Sequence, residues 1–384
     1  MRIIVVLCAA VSLAANVAAQ VFNSGSSGNL GDVVLTTNMV WDIPDNGQFH
    51  VNTLVVNIGV TLSFRKPTNG LNPPVYILAR SNVTIRGTIS VDGQNGALGL
   101  AASEGGPGGF SGGGAGTPPA SSAGDGHGPG RGLFRQGASY GTTGGGAVPP
   151  YGNLLVFPLV GGSGGGGSDG NPGVSGGGGG GALLIASDTQ VALHGDLTAR
   201  GGASSGTTST SSGAGSGGAV RLVAPIIAGN GRMNVSGGFG VTLRRSGEGR
   251  ARIDCLPQPI SISVLGTDTT PPWRVGRNPV IFPPNGQRLE IIHAAGQDIP
   301  PGTNSSVLVI LPLGSSSNQV LTLKTTNFTG EFDVKVEATP ENGKSARQTF
   351  RWNVGTNSMA TTNVTVTIPG GIPTRITAWA EVLF

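Results

Sequence analysis

The sequence predicts an all-β protein: a right-handed parallel β-helix, or solenoid, with Gly-rich insertions, followed by a small antiparallel β-sandwich. Three observations predict it. Residues 75–93, 182–201 and 219–237 read alike: an apolar run ending in Ala79, Ala186 or Ala224, a short link to Gly87, Gly195 or Gly231, then an alternating strand closed by glycine. A unit of about 20 residues made of short strands cannot bury its own apolar face, so copies must stack. Glycine supplies 69 of 384 residues, far above the usual share of about 7%, and only 11% of residues are charged, so helix formers and charged surface are sparse. Beyond about residue 265 the glycine excess ends, and short alternating runs separated by turn residues take over.

In chain order, Arg2, the apolar run Ile3–Val11 and the small residues Val17 and Ala19 read as a secretory signal peptide, residues 1–19, cleaved before Gln20. Cys8 lies inside it, so release rather than lipid anchoring is expected, and the protein is expected to be secreted or at the cell surface. No other apolar run reaches the roughly 18 residues of a membrane span, so no transmembrane segment is expected. Cys255 is then the lone cysteine, and the fold must rest on burial and backbone pairing rather than an internal disulfide. Residues 20–258 form the expected β-helix, which begins with the β-branched runs between Gly31 and Phe64 that also cap its open edge. Its insertions, about 93–181, 202–218 and 238–249, all leave after a closing glycine and return before the next apolar run, so a stacked core places them at one corner. Within the first, Tyr151–Val160 is an apolar island expected to dock. Collagen is excluded because glycine keeps no fixed period of three. Composition leaves open whether the insertions are flexible loops or packed chains. Read as projections, 93–181 should be replaceable by a short linker with cooperative unfolding intact, because closure entropy changes slowly with length.

Val241–Arg244 and Arg250–Cys255 are the expected last core strands. Residues 259–384 carry the strands of an immunoglobulin-like β-sandwich, among them Ser306–Leu311, Gln319–Lys324 and Asn363–Ile368. Phe332, Val334 and Val336 should face one side while Asp333, Lys335 and Glu337 face the other, with Trp352 and Trp379 as core aromatics.

Gly217-Gly-Ala-Val-Arg-Leu-Val-Ala224, the terminal Arg250-Ala-Arg-Ile-Asp254, and the tail segments Val364–Pro369 and Ile376–Glu381 together resemble a group of glycine-rich secreted bacterial proteins. These have a parallel β-helix-like repeat core and a C-terminal immunoglobulin-like sandwich, and their function is uncharacterised. The resemblance spans most of residues 75–384, implies the fold, and carries across no catalytic residue.

Chemistry-bearing motifs are few. Ser111, Ser163 and Ser175 match Gly-x-Ser-x-Gly, but a nucleophile elbow needs a strand before and a helix after, and neither is predicted. Ala338–Ser345 passes a relaxed phosphate-loop pattern and reads as a hairpin turn. Asp125–His127 and Ser168–Asn171 offer oxygen and imidazole to a cation without the spacing of a calcium repeat, so solvated turns and no metal are expected. Asp92, Asp188, Asp196, Arg86 and Arg200 are the candidates for a glycan-cleaving face, with Asp92 and Arg200 at neighbouring places in equivalent strands. One charge per turn reads equally as coil-edge solvation, so no catalytic residue is assigned. Arg221, Arg232, Arg244, Arg245, Arg250 and Arg252 fall in the final coils, where stacking about 4.8 Å apart makes a ladder for an anionic polymer. The net charge of +4 is too mild for a nucleic-acid footprint. The expected function is a non-catalytic extracellular structural or adhesive protein with acidic polysaccharide as candidate partner and no cofactor. The alternatives are a polysaccharide lyase or glycoside hydrolase on a β-helix, and a carbohydrate-binding protein that binds through its sandwich.

Overall fold

The computed structural model describes residues 22–68, 72–99, 102–116, 123–146, 148–170, 172–206, 211–240, 244–281, 287–300, 307, 309–340, 344–356 and 359–381. The signal-peptide reading of residues 1–19 falls outside these. Among the described residues there is no α-helix, and the strands form parallel sheets first and antiparallel sheets at the C-terminus.

The chain visits three parallel sheets in rotation. Its first circuit is β1 (Asp32–Leu35), β2 (Met39–Asp42) and β3 (Gln48–Val51), and its second is β4 (Thr53–Val56), β5 (Thr61–Arg65) and β6 (Val75–Ala79). Three further circuits continue the pattern: β7 (Val83–Ile85), β8 (Thr88–Ser90), β9 (Ala182–Ser187); β10 (Gln190–Leu193), β11 (Asp196–Thr198), β12 (Ala219–Val223); β13 (Ile226–Ala228), β14 (Arg232–Asn234), β15 (Arg250–Asp254), so that the three repeats seen in the sequence are β6–β8, β9–β11 and β12–β14. β16 (Ser263–Leu265) and β17 (Trp273–Gly276) then extend the second and third sheets. Equivalent strands lie in register, so like residues stack. Ile89 sits between Leu62 and Leu197, and Met233 follows Leu197. Leu54, Val83, Val191 and Ile227 make a second column, and Ile77, Ile185, Leu222 and Ile253 a third. All three columns belong to one buried core. Each such side chain contributes about 1.5–3 kcal/mol on burial, and a one-residue slip would turn the whole column outward, so the repeat fixes the register. At the N-terminal end Trp41, Phe49 and Phe64 cluster with ring centroids 4.8–6.3 Å apart.

The central strands of the third sheet are buried on both faces. β6, β9 and β12 are buried at every position, which is why they read as largely apolar runs, interrupted by Arg221 in β12 and closed by Ser187 in β9. Their outward residues, among them Tyr76, Leu78, Leu184 and Val223, pack against Tyr140, Tyr151, Val156 and Leu159. The apolar island of residues 151–160 therefore docks on this sheet. The Tyr140 and Tyr151 hydroxyls donate to the carbonyls of Val160 and Gly161 at 2.8 and 2.7 Å.

The glycine tracts leave between β8 and β9, β11 and β12, and β14 and β15, always between the second and third sheets, and most of their described residues are packed interior. Residues 176–181 are all buried glycines whose amides bond outward in a three-residue cycle. Ser175, Gly178 and Gly181 donate to Ala97, Gln94 and Val91; Gly176 and Gly179 to Gly113 and Phe110; Gly177 and Gly180 to Gly213 and Ser216, all at 2.7–2.9 Å. Three residues per turn with no internal hydrogen bond is the geometry of a polyproline-II helix, here surrounded by like chains. Residues 213–218 repeat the cycle: Gly213 and Ser216 donate to Gly166 and Ser163, Ala214 and Gly217 to Arg244 and Gly247, Gly215 and Gly218 to Gly202 and Ala199. Collagen needs glycine at every third place because one residue in three faces its axis. In this bundle every residue faces some neighbour. A Cβ added anywhere in 176–181 would lie 1.9–2.6 Å from a backbone oxygen. The three-residue geometry is thus present without a three-residue sequence period, and the view of the tracts as projecting loops is corrected. Where serine enters, its hydroxyl replaces a backbone partner: Ser175 Oγ accepts from Ala97 N at 3.0 Å and Ser216 Oγ from Ser163 N at 2.8 Å.

The C-terminal part comprises β18 (Arg288–Ala294), β19 (Gln297–Asp298), β20 (Asn318–Thr326), β21 (Glu331–Pro340), β22 (Ala346–Asn353), β23 (Met359–Thr367) and β24 (Thr374–Glu381). They form two antiparallel sheets, ordered β19-β18-β20-β23 and β22-β21-β24, which share one apolar core. Phe332, Val334 and Val336 enter that core, as their alternation requires, and Trp352 packs against it. Trp379 does not. Its partner across β21 is Lys335, whereas the inward Val334 and Val336 face Ala380 and Ala378, so Trp379 lies on the other face with the Arg347 guanidinium 4.8 Å above its ring. The expected strand Ser306–Leu311 lies partly outside the described residues, as does Val241–Arg244, of which Arg244 alone is described and is not in a strand.

Candidate functional site

Aligned on their glycines, residues 87–92, 195–200 and 231–236 place side chains of the second sheet alternately inward and outward. The outward side chains form three rows running across the strands. Thr88, Asp196 and Arg232 are register partners, with Thr61 beyond Thr88; Ser90, Thr198 and Asn234 form the next row, with Leu265 beyond Asn234. Asp92 and Arg200 follow past the strand ends. Together these ten residues line a groove of about 400 Å³.

The groove's charges are paired. Arg200 donates through Nε and Nη2 to Asp92 Oδ2 at 3.0 and 2.8 Å, and its backbone N–H donates to Oδ1 at 2.6 Å. Arg232 donates through Nε to Asp196 Oδ1 at 2.6 Å and through Nη2 to Oδ2 at 2.8 Å. These hydrogen bonds raise both guanidinium pKa values further. Both arginines stay more than half exposed, at 56% and 58%, so each pair presents donors and acceptors to water. On the groove floor Thr198 is only 8% exposed, and its Oγ1 is buried without a hydrogen-bond partner. Sequence reading found the Asp92–Arg200 contact; it missed Asp196–Arg232 and Thr198, although aligning the three glycine-led segments puts all four charges and the middle row in register.

The six arginines of the predicted ladder are dispersed. Arg221 and Arg252 are neighbours on the third sheet and share Asp254: Arg221 Nε donates to Asp254 Oδ2 at 2.9 Å and Arg252 Nε at 2.8 Å. Arg221 also donates to the Ile281 carbonyl at 3.0 Å, and Arg252 to the Leu154 carbonyl at 3.1 Å. Arg250 is buried, donates to the Tyr151 carbonyl at 3.0 Å and lies 5.6 Å over the Tyr140 ring. The outer face of the third sheet is covered, so positions that a bare coil would expose are interior. Arg232 belongs to the groove, Arg245 pairs with Asp268 at 3.1 Å, and half-buried Arg244 has its pKa lowered by desolvation and by nearby Arg135.

The expected solvated turn at Asp125–His127 is also interior. Asp125 accepts from Phe134 N and Ser345 Oγ, each at 3.1 Å, and His127 is pushed down to about 4 by burial, then by Arg375. Ser345 of the phosphate-loop look-alike therefore serves to dock the C-terminal part. The same seam holds Glu337 between Arg131 and Arg347, its carboxyl raised by desolvation. Ser163 and Ser175 are enclosed in the glycine bundle. Among the described residues no three His, Cys, Asp or Glu side chains gather as a metal site, and no helix is long and apolar enough to cross a membrane. No family model, curated protein or solved structure matches the chain.

Proposed function

We propose that this is a non-catalytic extracellular structural or adhesive protein. In this reading the three-sheet winding is a right-handed parallel β-helix, stiffened on one flank by the glycine bundle and closed by an immunoglobulin-like sandwich, and its free second sheet faces a polysaccharide. The secretory pattern of residues 1–19 and the resemblance to glycine-rich secreted proteins support export. The observation that carries the binding reading is the groove itself: a row of hydroxyl and amide groups flanked by two Asp–Arg pairs, on the face that neither the glycine bundle nor the Tyr151–Val160 island covers. A glycoside hydrolase needs one carboxyl to give a proton and another to attack or activate water. In the groove both oxygens of each carboxylate already accept from an arginine, which favours holding a chain over cleaving it. Acidic polymers would find Arg244 and Arg245 as the remaining water-facing part of the predicted ladder.

The test is a glycan array joined to a polysaccharide-degradation screen on the protein without residues 1–19. Retention on one or more polysaccharides with no new reducing ends or unsaturated products supports the proposal. Release of products would replace it with the lyase or hydrolase reading.

A further inference from the structure

Resting on that reading, we infer that the groove of the second sheet is the glycan site and that it selects an uncharged polysaccharide lying across the strands, along the direction in which they stack. From Thr61 on β5 to Leu265 on β16 the groove crosses five strands, about 19 Å at about 4.8 Å per step. Its groups recur at that step, which suits a polymer with a regular repeat. The two aspartates and two arginines cancel, so the groove offers no net charge to attract a polyanion. Each pair instead sets acceptor oxygens beside guanidinium N–H donors, and a hydroxyl, which both donates and accepts, can bridge them.

Thr198 points most directly to a ligand. A buried hydroxyl with no partner costs about 1–3 kcal/mol, and such groups are uncommon in folded proteins. Thr198 Oγ1 is buried without a partner on the floor of an open groove, midway between Ser90 and Asn234 and between the two ion pairs. The hydroxyl is shielded from the groove as it stands, and a rotation about χ1 that turned it outward would let a glycan hydroxyl satisfy it. Polar groups placed this way discriminate strongly, because a ligand lacking the matching hydroxyl leaves them unpaired.

The experiment measures binding of wild type, Thr198→Val, Arg200→Gln/Arg232→Gln and Arg244→Ser/Arg245→Ser to soluble glucan, mannan and xylan, and to polygalacturonate and alginate, at several salt concentrations. The expected result is salt-insensitive binding to a neutral polymer. Thr198→Val should weaken it on the order of tenfold, with an unchanged or higher unfolding midpoint because the substitution removes an unpaired hydroxyl. The double glutamine variant should weaken it at least as much, and the double serine variant not at all. If neutral binding is seen but Thr198→Val and the double glutamine variant bind like wild type, the groove is not the site, while the polysaccharide-binding reading stands. Wild-type binding confined to the acidic polymers and lost in Arg244→Ser/Arg245→Ser overturns the neutral groove in favour of the arginines. Wild type retained by no polymer removes both proposals.

Discussion

Gly176→Ala and Gly370→Ala make the same chemical change and should have opposite effects. Neither glycine has a positive φ, so the backbone conformation suits alanine at both places. At Gly370 nothing lies within 4 Å of the new Cβ, and alanine there should stabilise by about 0.4–1 kcal/mol through the unfolded chain. At Gly176 the Cβ would meet Gly165 O at 1.9 Å and Gly165 C at 2.5 Å, whereas ordinary contact begins at 3.4 Å. The difference, 3.4 minus 1.9, requires the neighbouring chain to retreat by about 1.5 Å. That retreat strains the bonds from Gly176 N to Gly113 O at 2.8 Å, Gly113 N to Gly165 O at 2.9 Å and Gly165 N to Gly177 O at 2.9 Å. Each buried bond left unmade costs about 1–3 kcal/mol, so Gly176→Ala should destabilise by about 3 kcal/mol or more even after the unfolded-state gain. Equilibrium denaturation followed by tryptophan fluorescence and far-UV circular dichroism reads both variants. A Gly176→Ala protein as stable as wild type would refute the reasoning, because the tract would then have room that a packed bundle lacks.

Replacing residues 93–181 with a short linker should abolish cooperative unfolding, since it removes the cover of the third sheet and the bonding partners of residues 202–218; a sharp, near-wild-type transition would return these residues to the status of loops. His127 is neutral when folded because burial lowers its pKa from 6.5 to about 4, so the unfolded chain binds more protons between those values and stability falls as pH drops through them. The loss approaches about 3 kcal/mol, and the same titration of His127→Gln should lack that component. Glu337→Ala leaves Arg131 and Arg347 facing each other at a buried seam, which should cost about 3–5 kcal/mol and let limited proteolysis free the C-terminal part; unchanged protease resistance would show that the seam does not depend on this carboxylate.

Much of the winding was legible because its period is written in glycines and apolar residues: Gly87, Gly195 and Gly231 open register-paired strands of the second sheet, and the apolar runs before them are register-paired strands of the third, although Ala186 sits one place short of Ala79, which pairs with Ser187. The corner from which the insertions leave followed from the same alignment. What the insertions do was not legible, because a tract such as Ser175–Gly181 has the composition of a flexible linker, and only its neighbours show whether each missing Cβ makes room for another chain. The Arg ladder failed for the same reason. Arg221, Arg250 and Arg252 sit where stacking predicts, but the covered third sheet turns those places inward, and that cover comes from Tyr140 and Tyr151, remote in sequence. Trp379 was placed in the core on strand pattern, and the register of β24 against β21 decides the face instead. The groove lay half within reach: Asp92 and Arg200 stand out as a pair, while Thr198 becomes notable only when its hydroxyl proves to have no partner.

Hydrogen–deuterium exchange across the glycine tracts tests most directly the claim that they form the interior of a rigid body. The amides of Gly176–Gly181, each bonded to a different segment of the same polypeptide, should exchange as slowly as those of the adjoining β9, Ala182–Ser187, and together with them on partial denaturation. Exchange at the rate of an unstructured glycine peptide, with β9 still protected, would contradict it.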